Sequence, residues 1–343
     1  MIFLLGKLPP PPGGVTVFNK RLLWNLSHKS DASLFSVSSI SFKSIYSLFV
    51  FSTSSSLLVV STTSFPAQLL AILVSLLKNS SSILILHLDA KFYLHTFLPF
   101  RLIQLYTLKK LSIVYSINAH SFEYLQRCGV YNTVLGSVFL PPTPHELFDQ
   151  ELSKCALQVS TLLEDNTDIS FYDKPYILSG AWRPCYDNDN NEIYGVNSLI
   201  DAYISFLSIA DDPPNLVISD PSGLFRKEFV SRHCNKFSQY VLSKIFFVMS
   251  PHQLWPLIKS ASLFIRNTLT DGDSISIREA LYFNVPVLAT DVVPRPSGVT
   301  TCRCIDHNML LSVWHEITSY HSPENELNTS DELNSLFPLY LLK

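Results

Sequence analysis

Three carboxylates and a guanidinium gather directly ahead of the apolar strand in TDGDSISIREALYFNVPVLATD, residues 270–291: Asp271, Asp273, Glu279 and Arg278. Only 15% of the 343 residues are charged, so such a cluster calls for a reason. TDGDS precedes a helical pattern, which puts free backbone amides and the positive end of the helix dipole at Gly272–Ser274. Asp273 or Ser274 suits the capping position. Glu279 then lies one and a half turns into the helix, and Asn284 takes the left-handed place at its end. VPVLAT reads as a buried strand that delivers the chain to Asp291. Local physics leaves two accounts open. One is a ligand site at the helix start. In the other, Asp271 and Asp273 only cap, while a solvated Glu279 pairs with Arg278.

Three other loops carry groups fit for chemistry. GKLPPPPGGVTVFNKR places Gly13 and Gly14 between a first strand and a first helix, where backbone amides can approach an anion closely, or where the pair is a plain tight turn. Neither the dinucleotide fingerprint nor the Walker pattern is present. In ILILHLDAKFYLHT, His87 and Asp89 directly follow a strand, and a histidine there can donate to a sugar hydroxyl or serve as a structural hydrogen-bonder. In YILSGAWRPCYDNDNNEIYG, Arg183 follows another strand, and its guanidinium suits a diphosphate as well as it suits a plain surface. The DNDNN run resembles a metal-binding Asp-x-Asp but lacks the apolar strand before it, so a solvated loop is expected and no metal site is assigned.

These loops must be held by regular elements. The first half alternates short apolar runs with longer amphipathic ones: strands at Ile2–Leu5, Ser33–Ile40, Leu57–Val60, Ile83–Leu86, Ser112–Ile117 and Thr133–Leu140, with helices between them at Val15–Leu26, Pro66–Leu77, Leu98–Leu111 and Ser121–Arg127. LPPTPHELFDQE breaks the rhythm, Glu151–Asp168 reads as helix and linker, and a second βα series begins at Tyr176–Leu178. The alternation predicts α/β architecture with two Rossmann-like parallel-sheet domains facing each other across a cleft. The expected domains are 1–150, a linker at 151–175, and 176–330, with a last helix within 331–343. Ligands bind at the carboxyl ends of such strands, where all four loops fall.

Composition narrows the function. A net charge of −3 offers no basic surplus for nucleic acid. The six cysteines are scattered apart from Cys302 and Cys304, which predicts reduced thiols in a reducing compartment and no zinc site. MIFLLGKLPPPPGG lacks the basic start and long apolar run of a signal peptide. Ser44–Leu77 is uncharged, but STSSS and STTSFP interrupt it, so buried strands and a helix are expected there instead of a membrane span.

Asp271 and Glu279 are separated by seven residues, and the stretch RNTLTDGDSISIREALYFNVPVLATDVVPRP resembles the acidic-x7-Glu motif of retaining glycosyltransferases of family four, which have the GT-B fold. That family usually has Glu first, where this chain has Asp271, and a glycine where this chain has Asn284. The resemblance implies that Glu279 binds the ribose of a nucleotide-sugar donor and Asp271 its sugar hydroxyls. The amides of Gly272, Asp273 and Ser274 would hold the sugar or diphosphate. His87 would stand near the reacting sugar, Gly13 and Gly14 would form the glycine-rich first loop, and Arg183 would be the first diphosphate cation. The family commonly has a lysine where this chain has Tyr194, so a second cation must come from elsewhere, with Arg266, Arg278 and Arg295 as candidates.

The resulting expectation is a retaining, metal-independent glycosyltransferase of surface polysaccharide synthesis. It would take a UDP- or GDP-sugar as substrate and need no cofactor. The acceptor would be a glycan or polyprenyl-linked sugar. The place would be the cytoplasm, with peripheral contact at the inner face of the membrane left open. As in related folds, the last helix is expected to return to the first domain. The alternatives are a catalytically silent GT-B binding module and a nucleotide-sugar epimerase.

Overall fold

The computed structural model describes residues 2–8, 14–29, 34–37, 46, 49–61, 65–87, 90, 94, 97–148, 159–161, 174–233, 237–249, 253–271 and 273–319. Gly13, Gly272, Asp89 and the expected helix within 331–343 lie outside the described residues. The chain divides into two compact units, with the division between Thr143 and Pro144.

The first unit is built from β1 (Ile2–Gly6), α1 (Gly14–Lys29), β2 (Leu34–Val37), β3 (Leu57–Ser61), α2 (Phe65–Lys78), β4 (Ser81–Leu86), α3 (Leu98–Lys110), β5 (Ile113–Ser116), α4 (Ala119–Arg127) and β6 (Thr133–Leu135). Its sheet runs β2-β1-β3-β4-β5-β6, and every pairing is parallel. A parallel strand covered on both faces must be apolar throughout, and IFLLG in β1 is buried at all five positions. From β3 to β6 the order advances in one direction, so right-handed crossovers place α2, α3 and α4 on one face. Leu58, Val60, Leu84 and Val114 form one core there with Ala71, Val74, Leu108 and Leu125. The expected strand Thr133–Leu140 ends early, at Leu135. Any side chain at Gly136 would strike the Tyr115 ring, and Tyr115 donates its hydroxyl proton to the Ser137 carbonyl (2.9 Å), so the chain leaves the sheet here.

The second unit contains α5 (Pro144–Phe148), β7 (Val159–Thr161), β8 (Tyr176–Gly180), α6 (Val196–Leu207), β9 (Asn215–Ser219), α7 (Leu224–His233), α8 (Gln239–Leu242), β10 (Ile245–Val248), α9 (Trp255–Lys259), β11 (Leu263–Arg266), α10 (Ile275–Tyr282), β12 (Val287–Thr290), β13 (Val299–Cys302) and α11 (His307–Ser319). The sheet order is β13-β12-β11-β8-β9-β10-β7, parallel except for β7, which runs antiparallel on the edge beside β10. That strand corrects the expectation of helix and linker over Glu151–Asp168. A three-residue edge strand gains its backbone partners from β10 and needs no pattern of its own. β13 was likewise unread, because this edge strand is half-exposed and VTTC offers no apolar run. Tyr203, Phe206, Phe225, Phe229 and Phe247 fill one core layer. Each large side chain so buried contributes about 1.5–3 kcal/mol.

Helix ends follow from local chemistry. Asn118 caps α4 by accepting the Ser121 amide proton (2.6 Å), and Gly129 with φ +78 closes the far end. Asn284 adopts φ +56 after α10, the left-handed place expected of it. Gly195, just before α6, has φ +60, and a methyl group there would sit 2.0 Å from the Asn267 carbonyl oxygen. Replacing Gly195 with alanine should therefore cost more than about 2 kcal/mol, since strain and overlap add. The urea midpoint measures it, and an unchanged midpoint would show that the loops relax freely.

Candidate functional site

In the second sheet β8 continues to β9 on one side, while β11 returns to its other side. The order therefore reverses between β8 and β11, and the carboxyl ends of those two strands flank the crevice where open α/β sheets bind ligands. The loop after β8 carries Arg183, and the loop after β11 carries Asp271, Asp273 and Ser274.

The β11 loop is laced to the turn ahead of α6. Asn267 Nδ2 donates to the Gly195 carbonyl (2.9 Å), Thr268 Oγ1 to the Ile193 carbonyl (2.9 Å), and the Leu269 amide to the same carbonyl (2.7 Å). From the neighbouring strand end, Thr290 Oγ1 donates to the Thr268 carbonyl (2.7 Å). A backbone so pinned fixes where Asp271 stands.

Asp271 is clamped by two arginines. Arg266, the last residue of β11, donates from Nε to Oδ2 and from Nη2 to Oδ1, both at 3.2 Å. Arg295 donates from Nη1 to Oδ2 (2.8 Å) and anchors its Nε on the Thr290 carbonyl (2.9 Å). All three side chains are largely buried. Burial opposes ionisation of Asp271, but Arg266 and then Arg295 outweigh it and hold the carboxyl below its ordinary value. The Arg266 guanidinium also lies over the Tyr194 ring, 5.4 Å from its centroid. The Nη2 of Arg295 is buried and has no hydrogen-bond partner.

The start of α10 corrects one expectation. Ser274 holds the N-cap position, but its side chain caps nothing and instead bonds Ser276 Oγ (3.0 Å). Asp273 accepts from Arg278 Nε (2.5 Å), so Arg278 pairs with Asp273 and not with Glu279. Glu279 is only 4% exposed, beside Ile277 and Ala280 on the inner face, which rules out a solvated helix residue. The three arginines considered as a second cation all carry ion pairs within this cluster.

Arg183 is exposed and forms no ion pair among the described residues. In the DNDNN turn, Asp187 accepts from the Asp189 and Asn191 amides (3.0 and 2.8 Å) and from Asn191 Nδ2 (3.0 Å), so it builds its own loop. Among the described residues, no group of three metal-ligating side chains occurs. Glu192 accepts the Tyr194 and Asn197 amides (2.9 and 3.0 Å), tying down the approach to α6.

In the first unit the order reverses between β1 and β3, and His87 follows the adjacent β4. Gly14 opens α1. The His87 ring lies edge-on to Phe18 of α1 (5.3 Å between centroids), and its Nε2 bonds Ser61 Oγ at the end of β3 (2.7 Å). Asn19 of α1 reaches the carbonyls of Lys7 (2.9 Å) and Ser61 (3.4 Å). Burial pushes the His87 pKa down from 6.5 to about 4, so the imidazole is neutral at ordinary pH.

No family model and no curated protein matches the sequence. Solved structures do. An Anabaena protein, HepE, in complex with UDP and glucose superposes with a TM-score of 0.58 at 12% identity, over 93% of this chain and 90% of that one. An α,α-trehalose-phosphate synthase (UDP-forming) from Burkholderia xenovorans, in complex with glucose-6-phosphate, gives 0.64 at 10% identity, over 97% and 95%. The lipopolysaccharide outer core galactosyltransferase WaaB gives 0.54 at 10%, over 93% and 90%. The fold is GT-B. At these identities the likeness concerns architecture, and within it the Asp271–Glu279 segment sits at a switch-point loop.

Sequence reading picked out Asp271, Asp273 and Glu279, but not the grip on Asp271. Arg295 lies 24 residues away in sequence, so no local spacing announces that pair. Nor did it pick out Ser61, 26 residues from His87, or Asn19.

Two outcomes follow from the electrostatics. Asp271→Asn leaves two buried guanidinium groups without their anion and should destabilise the protein by about 3 kcal/mol in urea titration. A loss within error would mean that water screens the cluster. For His87, the folded pKa lies below the unfolded one. Only the unfolded chain takes up a proton as pH falls from about 6.5 to about 4, so stability drops across that window. Replacement by glutamine should remove that part of the drop, and identical profiles for the two proteins would place His87 in water.

Proposed function

We propose that this protein is a retaining glycosyltransferase that moves a sugar from a nucleotide diphosphate donor, a UDP-sugar in the first instance, to a glycan or lipid-linked acceptor in the cytoplasm. The observation that carries the reading is the buried Glu279 on α10 together with an ionised Asp271 at the head of the same segment, both at a switch-point loop of a GT-B unit. Proteins of the same fold bind UDP with glucose and bear names of sugar transfer.

In this reading Glu279 accepts the ribose hydroxyls through charge-assisted hydrogen bonds. Asp271, kept anionic by Arg266 and Arg295, accepts from hydroxyls of the donor sugar. The α10 amides and the exposed Arg183 face the diphosphate, where negative charge grows as the glycosidic bond breaks. The bond from the anomeric carbon to the diphosphate oxygen breaks, the bond to the acceptor oxygen forms on the same face, and the acceptor proton passes to the leaving diphosphate. Neutral His87, held by Ser61, positions a sugar hydroxyl as a hydrogen-bonding partner and does not supply positive charge. No step requires a metal ion, so turnover should persist in EDTA.

A second reading is a silent binding module of the same fold. It draws support from Tyr194 in the place of a cation and from the ion pairs that occupy Arg266, Arg278 and Arg295. Acceptor-dependent release of UDP from a panel of UDP-sugars separates the two, since a silent module binds without release. An epimerase would interconvert donor sugars with no net release. Glu279→Gln should weaken UDP binding about tenfold, equivalent to about 1.4 kcal/mol. Calorimetry that finds equal affinity for both proteins would sink the assignment of Glu279 to the ribose.

A further inference from the structure

VVPRPSG holds Arg295 between two prolines in the loop after β12. Pro294 fixes its own φ, and Pro296 keeps the residue before it out of the helical region, so the backbone here is stiff. On that backbone two contacts place the guanidinium. Its Nε donates to the Thr290 carbonyl (2.9 Å) and its Nη1 to Asp271 Oδ2 (2.8 Å), with only 3% of the side chain exposed. The third nitrogen, Nη2, carries two further N–H groups, is buried, and has no hydrogen-bond partner. A buried donor without an acceptor is costly, the more so when it is charged, and side-chain donors at such depth are nearly always satisfied.

Charge narrows the partner. Arg266 grips Asp271 with Nε and Nη2, and Arg295 grips it with Nη1. Among these three largely buried side chains two positive charges therefore face one negative charge. Arg278, by contrast, is matched by Asp273. The order Arg266, Asp271, Arg295 alternates in sign, and an anion on Nη2 would continue the alternation and balance the charge. A hydroxyl could also accept from Nη2, but it would leave the second positive charge uncompensated.

Position names the anion. The N–H groups of a guanidinium lie in one plane, so those of Nη2 run alongside the Nη1–H directed at Asp271 and the Nε–H directed at Thr290. An oxygen that accepts from Nη2 lies beside the Asp271 carboxylate. In the proposed reaction Asp271 receives hydroxyls of the donor sugar, while the diphosphate faces the α10 amides and Arg183. The anion beside Asp271 then belongs to the sugar, and a hexose whose primary alcohol is oxidised to a carboxylate is a hexuronic acid. Asp271 and the sugar carboxylate would share Arg295, with Arg266 offsetting their repulsion.

The geometry points to Arg295 as the residue that selects a hexuronic acid donor, its Nη2 donating to the sugar carboxylate. This inference rests on the glycosyltransferase reading and on its placement of the sugar at Asp271.

The test is calorimetric titration of the full chain with UDP, UDP-glucose, UDP-glucuronic acid and UDP-galacturonic acid. At least one hexuronic donor is expected to bind about tenfold or more tightly than UDP-glucose, the scale of one charge-assisted pair. Arg295→Gln removes the surplus charge and leaves Arg266 to pair with Asp271. It should lower affinity for that donor about tenfold more than affinity for UDP-glucose. The comparison of ligands on the unaltered protein decides the matter even if the variant folds poorly. Equal affinity for UDP-glucose and both hexuronic donors would overturn the inference and leave the glycosyltransferase reading standing. A loss of UDP affinity in Arg295→Gln as large as the loss for the hexuronic donor would overturn it too, by assigning Nη2 to the diphosphate. Failure of the unaltered protein to bind any of these compounds would sink the glycosyltransferase reading itself, and the inference with it.

Discussion

The second unit depends on one interaction, the grip of Arg266 and Arg295 on the Asp271 carboxylate. Arg266 ends β11, and Arg295 lies in the loop after β12, so one anion holds two neighbouring strand ends in register. Burying three charges is costly unless each finds its partner. The pinned backbone of Asn267, Thr268 and Leu269 supplies the geometry that lets them do so. Remove the carboxylate and the two buried arginines are left to repel each other.

That constraint shapes the chemistry available. A carboxylate held below its ordinary pKa is a permanent hydrogen-bond acceptor and a poor acid or base at neutral pH. His87 is neutral for the opposite reason, since burial without a counter-charge favours the uncharged ring. Both groups are therefore suited to holding hydroxyls in place more than to moving protons. This agrees with the proposed reaction, in which the leaving diphosphate takes the acceptor's proton.

The two units also divide their electrostatics. The positive surplus lies in the first, on the unit whose outer helices expose leucines, phenylalanine and tyrosine. The negative surplus lies in the second, yet its candidate site is lined with arginines that are already paired, with Arg183 left exposed. A chain with a net charge near zero thus hides a strong separation.

The sequence by itself determined the βα rhythm, the two sheets and the loops worth inspecting. Apolar runs such as IFLLG and VLAT can only be buried strands, and Asn284 can take a left-handed turn at little cost. These are local properties, written within a few residues. It also carried the Asp271 and Glu279 spacing, because one loop and the helix that follows it contain both. Tertiary structure alone decided that Glu279 is buried and that Arg278 turns to Asp273. It decided that Arg295 and Ser61 complete pairs begun 24 and 26 residues away, and that β7 adds an antiparallel edge. It also decided which apolar side chains of α2 enter the core, Ala71, Ile72 and Val74, and which stay exposed, Leu69, Leu73, Leu76 and Leu77. The physical reason is common to all of these. A hydrogen bond or ion pair needs its partner within about 3 Å, and separation along the chain does not report distance in space.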